Sequence, residues 1–190
     1  MRLKEIATVR TGLVLSRKKA MKHDEVSYAY RQITLKSFSD SITLESQYFD
    51  NFLSNEKIDE TYISRVGDIV VRLRKPNTAV YIDERSEGLI ISSLMAIIRV
   101  HEEGIENAFL AQYLNTRYVK KMLTKAVKGT TIAMIKTKDL ESLLITLPPL
   151  GVQNTMLKYI ALSYKEIQVL EKLKVEKKKL IDELLERILL

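Results

Sequence analysis

The stretch Leu147–Leu190, LPPLGVQNTMLKYIALSYKEIQVLEKLKVEKKKLIDELLERILL, decides the fold. Pro148-Pro149 ends the preceding element, because proline lacks the backbone N–H donor and pushes the residue before it out of helical geometry. No Gly or Pro follows Gly151, and the strong helix formers Leu, Lys and Glu dominate the remainder. At about 1.5 Å per residue such a helix is roughly 60 Å long, more than a domain of this size can cover. We therefore expect a projecting helix whose apolar side lies on a partner.

The helix carries the two-position apolar repeat of a coiled coil. Its apolar seam residues are Ile160, Ile167, Ile181 and Ile188 at the first position, and Met156, Leu170 and Leu184 at the second. Lys174 and Lys177 occupy seam positions that should be apolar, and Leu173 and Leu180 lie one place out of register. Such a polar interruption costs stability but can fix register and orientation. The stripe indicates either pairing with a second long helix from another chain or folding back onto the chain's own domain.

Composition bounds the class of protein. The 190 residues leave room for one ordinary domain besides the helix. The absence of Cys excludes disulfides and thiolate metal sites and fits a reducing cytoplasm. No apolar run reaches the ~18–20 residues of a membrane span, and the start MRLKEIATVR is not a signal peptide, so we expect no membrane partner. The net charge of +7 favours an anionic partner, most often nucleic acid or a membrane surface.

The charge is unevenly distributed along the chain. Nine basic residues against three acidic ones fall between Arg2 and Lys36, whereas Asp40–Glu60 is acidic with a single cation. Between Asn107 and Lys138 there are seven basic residues and no carboxylate. A segment without acids is suited to face phosphates. A solvated helix face that happens to be basic would give the same pattern.

The residues before the helix predict an α+β domain over residues 1–147, with a mixed or antiparallel sheet, followed by the long helix over 148–190. The apolar spacing from Leu3 predicts a short helix that ends at Gly12. The alternation at Tyr28 and Tyr30 changes phase before Ile33, which predicts a bulge or turn at Arg31-Gln32. Further strands are predicted over Ile69–Leu73, Thr78–Ile82, Leu89–Val100 and Leu144–Leu147, the first two joined by a turn at Arg74-Lys75-Pro76-Asn77. Asn107 is predicted to cap a helix over Ala108–Ala126 or two shorter ones.

The sequence contains no recognisable active site. His101 has no second His four residues later, and His23 lies in a polar loop, so neither matches the helical zinc motif. A Gly-rich phosphate loop and a Gly-x-Ser-x-Gly elbow are both missing. We therefore expect a protein that is not an enzyme, with no catalytic residue, metal or cofactor.

A series of short motifs occurs in an informative order. They are Leu3-Lys4-Glu5-Ile6-Ala7 with Gly12, Gly67-Asp68-Ile69-Val70, Gly88 before a β run that ends at Arg99, Tyr113-Leu114-Asn115, Lys128-Gly129-Thr130-Thr131, and Leu147-Pro148-Pro149-Leu150 with Gln153 at the start of the helix. The last is the most specific. In this order the chain resembles one half of the specificity subunit of a type I restriction-modification system, which is a single target-recognition domain followed by one long helix.

The resemblance implies a non-enzymatic subunit that reads double-stranded DNA and brings methyltransferase (M) and restriction (R) subunits to it. Full-length members hold two recognition domains apart with two antiparallel helices and read a bipartite site with a gap. This chain has one of each, so an antiparallel homodimer through Met156–Leu190 would rebuild the pair with two-fold symmetry. Its target would be an interrupted palindrome. The second helix could instead come from a different chain, or the chain could be a truncated relic.

The expected DNA-binding residues lie in basic loops and turns. A planar Arg suits guanine in the major groove, and small hydroxyls suit phosphates or base edges. The candidates are Arg17, Lys18 and Lys19 in the first basic loop, Arg72, Arg74 and Lys75 at the strand turn, Lys128, Thr130 and Thr131 at the glycine turn, and Lys136.

Two other classes of protein remain open. A coiled-coil adaptor would explain the helix but not the carboxylate-free basic segment. An RNA-binding module would explain the charge, yet the sequence has no aromatic stacking platform at a defined spacing. Competition between duplex DNA and RNA would separate these classes.

Overall fold

The computed structural model describes residues 1–20, 28–39, 42–74, 77–126 and 134–189. The chain divides into two units, Met1–Leu150 and Gly151–Leu190. The elements in chain order are α1 (Leu3–Ile6), β1 (Ala7–Thr11), β2 (Tyr28–Gln32), β3 (Asp50–Ser54), β4 (Ile69–Arg72), β5 (Ala79–Tyr81), β6 (Met95–Val100), α2 (Asn107–Leu114), α3 (Arg117–Ala126), α4 (Thr137–Glu141) and α5 (Leu150–Leu189). The predicted class, an α+β fold with antiparallel sheets followed by a long helix, is confirmed.

The main sheet has four strands in the order β1-β6-β4-β5, and every neighbouring pair is antiparallel. Its two faces are both buried. Ile69, Val71 and Ile98 pack on one face with apolar residues of α1 to α4. Val70 and Ile97 pack on the other face with Ile33 and the chain that follows it. Burial on both faces explains why β4 and β6 read as continuous apolar runs without alternation.

The two predicted strands are confirmed as β4 and β5, paired from Ile69 opposite Tyr81 to Val71 opposite Ala79. Lys75 and Pro76 of the turn predicted between them lie outside the described residues. The predicted strand over Leu89–Val100 is shorter in the structure, because a turn separates Leu89–Ile91 from β6. The predicted strand over Leu144–Leu147 is reduced to a single bridge between Arg2 and Leu144. The alternative of two short helices is confirmed by α2 and α3.

The prediction that the N-terminal helix extends to Gly12 is wrong, although a helix does begin at Leu3. It ends at Ile6, and residues 7–11 form β1, because this backbone pairs with β6. A Cβ at Gly12 would overlap the carbonyl oxygens of Ile91 and Ser92, so Gly12 marks a close backbone approach and not a helix cap.

The predicted bulge at Arg31-Gln32 is also wrong. β2 pairs with β3 in unbroken antiparallel register from Tyr28 opposite Ser54 to Gln32 opposite Asp50. The phase change has another cause: Ile33 leaves the ribbon, its N–H donates to the Ile90 carbonyl, and its side chain is buried under the main sheet.

The predicted cap at Asn107 is wrong as well. Asn107 is the first helical residue, after Glu106 at the cap position. Its side-chain Nδ2 instead donates to the Gly67 carbonyl at 2.8 Å.

The predicted long helix is confirmed as α5, which has 40 residues. Every residue from 165 to 189 is exposed. None of the described helices combines the length and apolar character that a membrane span requires.

Candidate nucleic-acid interface

The register of the main sheet brings several chain segments to the same place. Thr11 lies opposite Ala96, and Arg72 lies opposite Met95. The front end of the sheet is therefore the one that carries Thr11, Arg72, Ala79 and Met95, and the rear end carries Ala7, Ile69, Tyr81 and Val100. The first basic loop and the β4–β5 turn both leave from the front end.

The first basic loop, residues 15–20, begins with a 3₁₀ turn over Leu15–Arg17. Its backbone reaches the small sheet, because the N–H of Ala20 donates to the Leu53 carbonyl at 3.0 Å. Lys18 Nζ pairs with Glu56 Oε1 at 2.8 Å, whereas Arg17 and Lys19 are exposed. Two of the three predicted cations in this loop thus face solvent.

The structure brings Arg72, Arg74 and Lys136 together. Arg74 forms an antiparallel bridge with Met134, and the N–H of Ile135 donates to the Leu73 carbonyl at 2.9 Å. This antiparallel run brings Lys136 alongside Arg72. Arg74 and Lys136 are exposed. The predicted candidates Lys75, Lys128, Thr130 and Thr131 lie outside the described residues.

Arg72 is half-buried and not freely solvated. Its Cζ lies 5.7 Å from the centre of the Phe38 ring, a cation–π contact. Its Nε is buried without a hydrogen-bond partner among the described residues. The contact with Phe38 holds the guanidinium in place at the front end of the sheet.

The rear end of the sheet is acidic. Asp83 and Glu84 follow β5, and Glu102 and Glu103 follow β6. The pKa of the Tyr81 phenol is raised by burial and, secondarily, by the carboxylates of Glu106 and Asp83. Three arginines at this end pair with carboxylates, as Arg65–Glu60, Arg85–Asp83 and Arg99–Asp68. The two ends of the sheet therefore carry opposite charge.

Helix α3 adds a basic face. Val119 and Leu123 are buried in the core, while Arg117, Lys121 and Lys125 are exposed at four-residue spacing. These three cations lie on one side of the helix, and α3 contains no carboxylate. The carboxylate-free segment noted in the sequence is thus an exposed surface here.

One feature escaped the sequence analysis, the outward face of the β2–β3 ribbon. Arg31 lies directly opposite Asn51, and both side chains are exposed. The sequence analysis missed this pairing because it predicted a bulge or turn at Arg31-Gln32 instead of a continuous strand. The only sequence signal for it is the period-two spacing of Ala29 and Arg31, which does not reveal the partner strand.

The predicted seam of α5 is exposed along the helix. The exposed seam residues are Met156, Ile167, Leu170, Ile181, Leu184 and Ile188, and Ile160 is half-buried. Lys174 and Lys179 pair with Glu171 and Glu176 of the same helix. An apolar stripe of this length is typical of a protein-interaction surface.

In the part of the chain that the structure describes, no group of three or more His, Asp or Glu side chains is placed to hold a metal ion. The described candidate site consists of cations, amides and apolar side chains.

The model of the family called Type I restriction modification DNA specificity domain matches residues 1–178. The chain belongs to this family. The resemblance inferred from the motif order is therefore confirmed.

Two solved structures are similar in fold to this specificity-domain chain. One, described as the structural basis of complex assembly and conformational transition of the type I R-M system, matches with a TM-score of 0.69 and 18% identity, over 94% of this chain and 45% of its own. The other is the HsdS subunit from Thermoanaerobacter tengcongensis, with a TM-score of 0.60 and 20% identity, over 90% of this chain and 38% of its own. The chain thus spans less than half the length of either. A comparison with curated proteins found no match.

Proposed function

We propose that the chain is the sequence-specific DNA-binding specificity subunit of a type I restriction-modification complex. It supplies recognition and no catalysis, and it acts in the cytoplasm with methyltransferase (M) and restriction (R) subunits. The observation that carries this proposal is the polarity of the main sheet: the basic segments leave from its front end, while the rear end is acidic. A polarised surface of this kind steers one face of a protein towards DNA.

The proposed contacts divide by chemistry. Exposed cations that pair with no carboxylate among the described residues suit phosphates, and Arg17, Lys19, Arg74 and Lys136 are of this kind. Lys18 contributes less, because Glu56 offsets its charge. Arg72 is already held against the Phe38 ring, so its guanidinium would lose less side-chain entropy on contacting DNA in one defined geometry. Lys75, Lys128, Thr130 and Thr131 complete the proposed set.

The test is a selection of binding sites from random duplex DNA, with the full chain alone and together with its methyltransferase subunit. We expect enrichment of an interrupted palindrome and no displacement by RNA. Lys136→Ala at the front end should weaken binding to all sequences and reduce the slope of log K against log salt by about one. Lys4→Ala, which removes an equal charge from another exposed position, at the rear end, is the matched control and should change neither. No enrichment in either form of the experiment would favour an adaptor, and displacement by RNA would favour an RNA-binding module.

The second part of the proposal is that the chain acts as an antiparallel homodimer through α5, with a two-part DNA site. Ile167, Leu170 and Ile181 are each more than half exposed. Leaving this much apolar surface in water is unfavourable by roughly 25 cal/mol per Å². A second copy supplies an identical stripe, and an isologous pair has the two-fold symmetry of most homodimers.

We propose one antiparallel register for the seam. In such a pair each first-position residue packs against a second-position residue of the other helix. With the two-fold axis at Lys172, Ile160 meets Leu184 of the second copy and Met156 meets Ile188 of the second copy. The register one heptad further would instead place Lys174 against Lys177 of the second copy. The axis at Lys172 avoids that repulsion and is the register that we propose.

Adjacent residues give a matched test of the seam. Leu170 lies in the seam and Val169 on the outer side of the helix, and their exposed fractions are 55% and 57%. Leu170→Lys removes the burial of a leucine twice per dimer, about 3–6 kcal/mol in all, and should yield a monomer by solution mass at micromolar concentration. Val169→Lys should remain a dimer. A monomeric wild-type chain, or equal effects of the two substitutions, would contradict the homodimer and leave a different chain as the partner.

A further inference from the structure

The β2–β3 ribbon has an inner and an outer face. Phe52 is buried and packs with Tyr30 on the inner face. Since side chains alternate along a strand, Arg31 and Asn51 belong to the outer face, where both are exposed. Neither residue has a role in the core.

The hydrogen-bond pattern brings these two side chains close together. The Arg31 carbonyl accepts from the N–H of Ile90 at 2.9 Å, so the polar backbone atoms of Arg31 point away from β3. Arg31 and Asn51 are therefore a non-hydrogen-bonded antiparallel pair, the type in which opposed residues approach most closely. Their Cβ atoms are expected about 4.5–5.5 Å apart.

The Arg31 guanidinium is fixed and retains free donors. Its Nη2 donates to the Ser46 carbonyl at 3.2 Å, and its Cζ lies 5.2 Å from the centre of the Phe49 ring. Within the described residues, no carboxylate pairs with Arg31, unlike Arg65, Arg85 and Arg99. A guanidinium held by a carbonyl and a ring loses little entropy when its remaining N–H groups bind a ligand.

We propose that this face reads base edges in the major groove of the target DNA, with Arg31 on guanine and Asn51 on adenine. The inference rests on the proposed function, that the chain binds duplex DNA. The major groove admits a two-stranded ribbon, Arg donates to guanine O6 and N7, and Asn bonds adenine N6 and N7. Two side chains about 5 Å apart can reach neighbouring base pairs.

The surroundings of the pair fit a base-reading site. Arg31 and Asn51 line a shallow cavity of about 370 Å³ whose other lining residues are Ala29, Tyr30, Arg85, Glu87, Gly88 and Leu89. Glu87 is an exposed acceptor of the kind that bonds cytosine N4, and Ala29 is small enough to contact a thymine methyl group. Beside the ribbon, the first basic loop carries exposed Lys19, which suits a flanking phosphate.

The test compares the sites selected from random duplex DNA by the full wild-type chain and by Arg31→Lys, Arg31→Ala and Asn51→Ala. We expect each variant to lose preference at one base-pair position, with about ten- to hundredfold weaker binding to the wild-type site. Arg31→Lys keeps the charge and should hold non-specific affinity at the wild-type level while losing that preference. Arg65→Lys, at an exposed arginine paired with Glu60, is the matched control and should select the wild-type site.

The outcomes separate the two proposals. If the wild-type chain selects a site and the Arg31 and Asn51 variants select the same one with equal preference, the ribbon does not read bases, although the chain still binds DNA. If Arg31→Ala weakens all sequences equally and Arg31→Lys restores binding, Arg31 contacts a phosphate and base reading is wrong. If the wild-type chain binds no duplex DNA, or binds RNA instead, the proposed function itself is wrong. Thermal denaturation of each variant shows whether a loss reflects unfolding.

Discussion

Asp68 and Arg99 are far apart in sequence, and the fold joins them in a buried ion pair. The Arg99 Nε–H donates to Asp68 Oδ1 at 2.9 Å, and its Nη2 donates to both Asp68 Oδ2 and the Ile63 carbonyl. Asp68 also accepts the N–H of Arg65 at 3.0 Å. The Asp68 and Arg99 side chains are 5% and 22% exposed, so each supplies the charge that balances the other away from water. Both residues belong to the short motifs whose order suggested the family, and in the structure they form an ion pair that joins two distant parts of the chain.

We predict that Asp68→Ala destabilises the protein by about 3 kcal/mol. Removing one member of a buried pair leaves the other charge desolvated and unpaired, which typically costs 3–5 kcal/mol. Because Arg99 is partly exposed, we expect a loss of stability at the lower end of this range. Urea denaturation measures the loss. Arg85→Ala is the matched control, because its side chain is 79% exposed and surface pairs contribute at most about 1 kcal/mol. Equal losses in the two variants would refute a structural role for the buried pair.

At the scale of elements, the sequence predicted those helices and strands whose conformation depends mainly on neighbouring residues. The paired strands β4 and β5 and the long helix α5 follow from apolar patterning and the positions of Pro and Gly, and they are confirmed. β1 and β3 depend on distant pairing partners: residues 7–11 form a strand because β6 lies beside them, and the polar Asp50–Ser54 because β2 does. For the same reason the sequence could propose the exposed cations of the candidate site but not the Arg31–Asn51 pair, which exists only through strand register.

The element α5 allows a direct test of the proposed register. In an antiparallel pair with its axis at Lys172, Leu173 of one copy lies beside Leu173 of the other, which would explain an apolar residue just outside the seam. Because the chain has no native cysteine, Leu173→Cys introduces a single thiol. We expect it to form an inter-chain disulfide under mild oxidation, visible as a covalent dimer on non-reducing gels. Lys172→Cys, one residue away but on the outer side of the helix, should not. Efficient cross-linking of Lys172→Cys, or none by Leu173→Cys, would refute this register.

The molecule combines the unit Met1–Leu150, which we propose as the recognition unit and whose main sheet carries opposite charge at its two ends, with a helix that exposes an apolar stripe. In the proposed function the front-end cations would supply affinity for any duplex, and the proposed Arg31–Asn51 pair would supply preference among sequences. A single unit of about 150 residues offers few such contacts. Joining two copies would make the second binding event intramolecular, which raises affinity without adding a new kind of contact. Sequence selectivity and pairing through α5 are therefore coupled in this proposal.

That coupling gives a prediction for the intact chain. On duplexes that carry both half-sites, the monomeric variant Leu170→Lys should bind at least a hundredfold more weakly than wild type, because it loses the effective concentration that pairing provides. On duplexes with one half-site, the two proteins should bind alike, since Leu170 lies outside the recognition unit. Titrations at fixed salt, with Val169→Lys as the control, measure both quantities. Selection with Leu170→Lys should recover a single half-site without its symmetric copy. If this variant still selects the interrupted palindrome, the two half-sites are read without pairing through α5, and the helix serves a different partner.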